Sequence, residues 1–330
     1  MISVRITENE GNQRLDRFLK KYLENATLGL IYKIIRKDIK VNGKRSKEDT
    51  MLQVGDEVSI YLRDEDLAMY TKKREHVKAK KQFTVVYEDP SILIVDKPFG
   101  LLTHGDGQEK KNHLANQVVD YLIVRGDYNP RAEKTFTPAS VNRLDRNTTG
   151  LVLFGKTAPV LQELNRMIRE KDKVSKFYLT IVKGRLTKEL VLRDKMSKDS
   201  ATNTVSVLPL DSVDGKVMET IARPIMWSSG YTLVEVEIIT GRTHQIRAHL
   251  AKSGHPVIGD AKYGDRRTND EVSRAFGLNT QLLHAYKLRF NECGGTLEYL
   301  QGREFTAEPT EDFARIKKTL FDNNTRGKQE

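Results

Sequence analysis

Residues 141–150, Val-Asn-Arg-Leu-Asp-Arg-Asn-Thr-Thr-Gly, set one carboxylate, Asp145, between Arg143 and Arg146 in a polar stretch that runs straight into the apolar Leu151–Phe154. Arginines on either side favour the ionised carboxylate and attract an anionic substrate. The same spacing equally suits a structural ion pair. Arg14-Leu15-Asp16 repeats the tripeptide, but there Leu15 belongs to the apolar face of a helix, which leaves Asp16 expected on a solvated surface. What distinguishes Asp145 is the loop and strand around it, not the tripeptide.

Two other clusters have suggestive residue types in unsuitable surroundings. Gly150 to Thr157 keeps the G-x4-G-K-T spacing of a phosphate-binding loop letter for letter. Such a loop needs small residues with inward-facing N–H groups between a strand and a helix. Here Leu151, Val152, Leu153 and Phe154 fill it, so a strand is expected and an NTPase is not. His244, His249 and His255 lie close together, yet no cysteine or carboxylate falls at a supporting spacing and no zincin signature occurs. They are assigned to holding a helix and the turn after it, and no metal is expected.

Short strands at frequent turns must position these residues. Phe83–Tyr87 and Ile92–Val95 read as a strand pair about Glu88-Asp89-Pro90-Ser91, followed by a helix with Leu114, Val118, Tyr121 and Leu122 on one face. After the Leu151–Phe154 strand, Val160, Leu161, Leu164, Met167 and Ile168 mark a second helix. Further strands are expected at Phe177–Val182, Met218–Ala222 and Tyr231–Ile239, and a helix from Thr243 to Ser253, stopped by Gly254 and Pro256. Asp312–Phe321 reads as a last amphipathic helix before a tail, Asn323–Glu330, expected to fray. Strands that do not alternate regularly with helices argue for an α+β fold with a mixed, mostly antiparallel sheet and against a doubly wound parallel one.

The N-terminal region differs in character. Leu15, Phe18, Leu19, Tyr22 and Leu23 share one helical face, with Asn12 as the expected cap. Leu30, Ile31, Ile34 and Ile35 share another, interleaved with Lys33, Arg36 and Lys37. Ile39-Lys40-Val41 runs into Asn42-Gly43, a turn that needs positive φ, and Val58–Leu62 alternates like a strand. Residues 12–50 hold eleven Lys/Arg against five Asp/Glu, so over half of the chain's excess positive charge sits there. A basic face on a small helical module suits contact with an RNA backbone, and suits a merely solvated helix pair as well. Residues 63–81 read as a linker whose last part, Thr71–Lys81, has six basic residues and one acidic.

Over the 330 residues, 56 basic and 45 acidic side chains give a net charge of +11, and 38% of residues are hydrophobic. That is enough apolar content for real cores, which excludes wholesale disorder, and the sign points to a polyanionic partner. One cysteine, Cys293, excludes an internal disulfide and a cysteine-based metal cluster. The opening MISVRITENEGNQ has acidic residues and no apolar run, unlike a signal peptide, and no apolar stretch reaches spanning length. A cytoplasmic protein with no membrane contact is expected.

With these residues in view, the chain resembles the RluA-type pseudouridine synthases. Arg143-Leu144-Asp145 with Thr148-Thr149-Gly150-Leu151 is similar to the family's H-R-L-D-x-x-T-S-G-L. Asp96-Lys97-Pro98-Phe99-Gly100-Leu101 with His104 resembles D-K-P-x-G-L-x-x-H, Lys176-Phe177-Tyr178-Leu179 its K-x-Y block, and Gly241 to His249 its G-R-T-H-Q-I-R-x-H. His255-Pro256 through Gly259-Asp260, Tyr263-Gly264 and Leu283-His284-Ala285 follow in order. The first 62 residues resemble an S4 RNA-binding domain, and Ile31 to Lys37 resembles the RluC subgroup. One position departs: Asn142 stands where the family has histidine, which touches loop geometry or substrate choice and not the reaction class.

The resemblance implies an S4-like module at 1–62, the linker at 63–81, a catalytic domain at 82–310 and a C-terminal helix and tail at 311–330. It implies isomerisation of uridine to pseudouridine in structured RNA, with ribosomal RNA of the large subunit favoured by subgroup and transfer RNA as the alternative. The N1–C1′ bond breaks, the base turns and rejoins through C5. No atoms enter or leave, so no cofactor or metal is required. Asp145 would be the essential residue, attacking ribose C1′ or removing a 2′ proton. Arg247 would pair with Asp145, Tyr178 would stack on the base, and Arg143 would help hold the nucleotide out of its stack. His104, Lys97 and Arg242 are expected to be structural or to contact phosphate. A monomer suffices for this chemistry. A non-catalytic RNA-binding protein keeping the fold is the contrasting reading, against which intact Asp145, Tyr178 and Arg247 speak.

Overall fold

The computed structural model describes residues 1–71, 80–130, 132–133, 135–199 and 204–322. The N-terminal module contains β1 (Ile2–Arg5), β2 (Gln13–Arg14), α1 (Leu15–Tyr22), α2 (Leu28–Asp38), β3 (Ile39–Val41), β4 (Met51–Leu52), β5 (Glu57–Ile60) and α3 (Asp64–Tyr70). β5 pairs antiparallel with both β1 and β3, and β2 with β4. Leu15, Phe18, Leu19, Ile31, Ile34 and Ile35 close a core of their own between α1 and α2. Asn42 and Gly43 both take positive φ, 51° and 76°, in the tight turn after β3, as their residue types require.

Three local expectations are corrected. Asn12 does not cap α1: it takes φ 55°, donates its N–H to Leu52 O, and lets Gln13–Arg14 pair with β4 before the helix begins. Asp16 is not solvated but buried, taken up by its own Arg14 at 2.8 Å. The stretch read as linker begins with α3, whose Leu67 and Tyr70 pack on the module's core. The basic run at 72–79 and the tail at 323–330 lie outside the described residues.

The larger unit follows as β6 (Thr84–Glu88), β7 (Ile92–Lys97), α4 (Leu114–Arg125), β8 (Ala139–Ser140), β9 (Thr149–Gly155), α5 (Ala158–Arg169), β10 (Val174–Lys183), β11 (Leu190–Asp199), β12 (Thr204–Leu208), β13 (Lys216–Ser228), β14 (Tyr231–Ile238), α6 (Gln245–Lys252), α7 (Arg266–Phe276), β15 (Leu283–Phe290), a 3-10 turn at Gly295–Leu300, β16 (Glu304–Thr306) and α8 (Glu311–Phe321). Its strands form one sheet in the order β12-β11-β13-β14-β10-β15-β9-β7-β6, with β8 added to β9 and β16 to β15. Among the described residues every pairing in this sheet is antiparallel except β15 with β9. The fold is α+β with a mixed, mostly antiparallel sheet, as the irregular alternation of elements predicts.

The central strands read as unbroken apolar runs because both of their faces are covered. Leu93, Val95, Val152 and Phe154 face α4, while Ile92, Ile94, Leu151 and Leu153 face α5. A third cluster joins Phe313, Ile316 and Phe321 of α8 to Ile181, Leu233 and Ile258. The terminal helix therefore packs into the same unit as the sheet. β9 meets β15 at Gly150, where φ is 108° and an added Cβ would lie 2.2 Å from Ala285 O. Only glycine allows two backbones to come that close.

Candidate active site

Asp145 sits in the loop that delivers the chain into β9, and three side chains fix that loop. Thr103 Oγ accepts the Leu144 N–H at 3.1 Å and donates to Leu144 O at 2.9 Å. Lys97, fully buried at the end of β7, donates its three ammonium protons to Pro98 O, Leu101 O and Arg146 O at 2.7–3.0 Å. Burial lowers that ammonium to about 7, against the opposing charges of Asp145 and Asp96. Asn142 donates from Nδ2 to Leu151 O and accepts the Leu153 N–H at Oδ1. The departure from histidine thus has a physical content: an amide offers a donor and an acceptor side by side, and both are used on β9.

The charge partner of Asp145 comes from far away. Arg247, in the first turn of α6, donates from Nη1 to Asp145 Oδ2 at 3.1 Å. Its Nε and Nη2 form a bidentate pair with Asp260 at 2.6 and 2.8 Å, and Asp260 also accepts the N–H groups of Lys262 and Tyr263. Burial alone would raise the Asp260 carboxyl; the Arg247 guanidinium and the two backbone donors overrule it and hold it low. Arg247 is thereby locked in place with its Nη1 turned to Asp145. The Asp145 side chain is 27% exposed, while that of Arg247 is 6% exposed.

The chain neighbours of Asp145 do something else. Arg146 reaches Asp106 at 3.5 Å, and Arg143 is exposed beside His104, whose imidazole is lowered first by burial and then by that guanidinium. Tyr178 lies on β10 in one row across the sheet with Ala285 of β15 and Gly150 of β9. It is buried, and burial together with the nearby Asp145 charge pushes its phenol up strongly. Asp145, Arg247 and Tyr178 therefore gather in one place, and Arg143 stands at the exposed rim. Sequence reasoning missed Asp260 and Thr103 as partners. Asp260 was present only as a motif letter and Thr103 only at an unspecified position of a motif, because the contacts span 13 and 41 residues.

The two decoys resolve on positive observations. Residues Thr149–Gly155 are the buried strand β9, and Lys156 Nζ is held by Glu88 and Asp127 at 3.1 and 3.0 Å. His244, His249 and His255 turn to different partners: Tyr263, Thr220 and Lys183 O. Among the described residues no three His, Cys, Asp or Glu side chains gather where a metal ion would fit. Arg242 bonds Val217 O and His104 bonds Ser140, both structural contacts. Among the described residues no helix is long and apolar enough to cross a membrane.

Chemically, the site offers one oriented carboxylate with an open side, a fixed cation behind it, and an aromatic ring beside it. The carboxylate that shares this arginine, Asp260, has both oxygens bonded to Arg247, which leaves it no part as a second acid beside Asp145.

The description RNA pseudouridylate synthase belongs to the family model that matches residues 91–252. The chain is 35% identical over 294 residues to ribosomal large subunit pseudouridine synthase C of Vibrio vulnificus, covering 87% of each protein. Against the protein of the same name from Escherichia coli K12 it is 33% identical over 300 residues, covering 88% of this chain and 89% of that one. In fold it is similar to human RNA pseudouridylate synthase domain containing 4, with a TM-score of 0.55 at 20% identity over 72% of this chain and 92% of that one.

Proposed function

This chain belongs to the RNA pseudouridylate synthase family, and we propose that it isomerises specific uridines of large-subunit ribosomal RNA, with Asp145 as the essential residue and no cofactor. The observation that carries the role of Asp145 is the asymmetry of its carboxylate. Oδ2 is held by the locked Arg247, while the side chain remains partly exposed to an incoming nucleotide.

Attack on ribose C1′ and removal of the 2′ proton both begin from an ionised, oriented carboxylate. A buried guanidinium at 3.1 Å supplies the orientation. Tyr178 offers its ring as a stacking surface for the uracil. Arg143, exposed at the rim, takes the space the base leaves in the RNA, offsetting part of the few kcal/mol that extrusion costs. The first 70 residues act as an S4-type module. Arg17, Lys20 and Lys21 of α1 and Lys33, Arg36 and Lys37 of α2 are exposed, which suits grip on an A-form backbone without reading base edges. The enzyme works as a cytoplasmic monomer.

The test is pseudouridine mapping of RNA from cells lacking the gene, rescued with wild type or Asp145→Ala. Large-subunit sites should vanish and return with wild type alone. Equal rescue by Asp145→Ala would remove that residue from the mechanism, and loss confined to transfer RNA would overturn the substrate.

A further inference from the structure

His244 does no work in the scheme above, yet it occupies a demanding position. It is buried at the N-terminus of α6 with φ 52°, a left-handed conformation that costs a side chain such as histidine and little for glycine. The turn that imposes this is pinned by Gln245. Its Oε1 takes the Thr240 hydroxyl and the Arg242 N–H, and its Nε2 donates to Glu219 O and Thr220 Oγ. The imidazole so placed lies between two groups, with Nδ1 3.0 Å from the Tyr263 hydroxyl and Nε2 3.8 Å from Asp145 Oδ2.

The hydrogen-bond pattern decides the tautomer. Tyr263 O already accepts the Val205 N–H at 2.7 Å, and its own proton has one acceptor among the described residues, His244 Nδ1. A neutral imidazole that accepts at Nδ1 must carry its proton on Nε2. The N–H therefore faces Asp145. Burial lowers the imidazole's affinity for a second proton, against the charge of Asp145, and burial raises the Tyr263 phenol, so both stay neutral.

We propose that His244 is a positioning residue for the reaction: with Arg247 it addresses the same oxygen of Asp145, Oδ2, and so reserves Oδ1 for the nucleotide. The proposal rests on the reading of Asp145 as the reacting carboxylate. At 3.8 Å the N–H is an orienting dipole in the resting site, and it closes to a hydrogen bond as the nucleotide displaces solvent from the exposed side. Tyr263 acts one step back by fixing the tautomer. Val205 of β12 holds Tyr263 in turn, so the outermost strand of the sheet is tied to the orientation of the carboxylate.

The test uses the full-length enzyme and tritium release from uridine C5 of a labelled large-subunit rRNA transcript, with Asp145→Ala as a control. His244→Asn tolerates the left-handed backbone but is too short to reach both partners; it should lower kcat about tenfold with KM nearly unchanged. His244→Gln, whose amide reaches toward Nε2, should recover part of that loss. Tyr263→Phe should lower kcat about threefold, and in the double variant it should add nothing to His244→Asn, because its effect passes through His244. Thermal midpoints of all variants separate misfolding from this effect. Wild-type kcat in His244→Asn with an inactive Asp145→Ala would overturn the role of His244 alone. An active Asp145→Ala would overturn the underlying reading instead. Additive losses, a loss confined to KM, or no recovery in His244→Gln would each reduce His244 to a packing residue. Should His244→Asn not fold, Tyr263→Phe and His244→Gln still decide: wild-type kcat in the first, or no activity in a folded form of the second, overturns the proposal.

Discussion

At the scale of single residues, the lesson of the site is that a carboxylate's chain neighbours are not its partners. Asp16 and Asp145 share the same tripeptide, yet Asp16 is neutralised by Arg14 two residues before it, while Asp145 takes Arg247 from 102 residues away. A helix beginning right at Leu15 folds Arg14 back on Asp16; the extended loop before β9 turns Arg143 and Arg146 outward instead. The polar loop feeding an apolar strand was legible in sequence. The pairing was legible only through motif order, since no local pattern encodes a contact of that span. Asp260 carries the pairing, and Asp260→Asn tests it. The substitution leaves the buried Arg247 with one anionic partner and no bidentate anchor, a defect that costs about 3 kcal/mol in buried ion pairs. The expected outcome is a drop of that order in urea unfolding and a fall in kcat of about tenfold or more. Normal kcat with lowered stability would mean that Asp260 supports the fold and does not orient Arg247.

At the scale of elements, legibility followed hydrophobic periodicity. The strands β7, β9, β10 and β14 and the helices α2, α4, α5 and α8 announced themselves, because each buries an apolar face of at least three residues. α7 and the β11–β12 pair did not. Arg-Arg-Thr-Asn-Asp-Glu-Val-Ser-Arg-Ala-Phe buries little besides Val272, so the signals for α7 were its Asp265 cap and Gly277 stop, not its face. β11 lies toward the edge of the sheet, half exposed, and its alternation is diluted by Arg193, Lys195 and Lys198. The element that matters most for the site is the β9–β15 junction, a parallel pairing, which sets Gly150 against Ala285 and places Tyr178 in the same row. Gly150→Ala should fail twice over, through strain at φ 108° and through overlap with a backbone carbonyl that cannot swing aside. A loss of about 3 kcal/mol or more is expected from urea unfolding, with what activity remains reduced because the Asp145 loop is anchored five residues upstream. A variant as stable as wild type would show that the strands part easily and that the row across the sheet does not position the site.

At the scale of the whole molecule, two separately cored units share a small polar seam. The N-terminal module closes its own core, and the sheet unit has its own clusters on both faces. Between them, Asn9 donates to Glu133 at 2.6 Å and accepts the Ala158 N–H at 2.7 Å, capping α5 from outside, and Thr135 donates to Glu10 at 2.7 Å. These contacts orient the basic faces of α1 and α2 relative to the Asp145 site without making either unit depend on the other for burial. Joining two RNA contacts in one chain raises the effective concentration of RNA at the second once the first is made. Deleting residues 1–70 should therefore cost the remainder only the borrowed cap, about 1 kcal/mol, and leave its fold intact by circular dichroism and thermal melting. On a full-length large-subunit rRNA transcript KM should rise while kcat changes little, because Asp145, Arg247 and Tyr178 all lie beyond the cut. The salt dependence of binding should also flatten, its logarithmic slope falling by about 4 if half a dozen phosphate contacts are lost with α1 and α2. Full activity on the large transcript, or an unchanged slope, would mean that the basic module is a solvated surface and that RNA affinity resides in the catalytic unit; a deletion variant that unfolds would mean that the seam, small as it is, carries the stability of both halves.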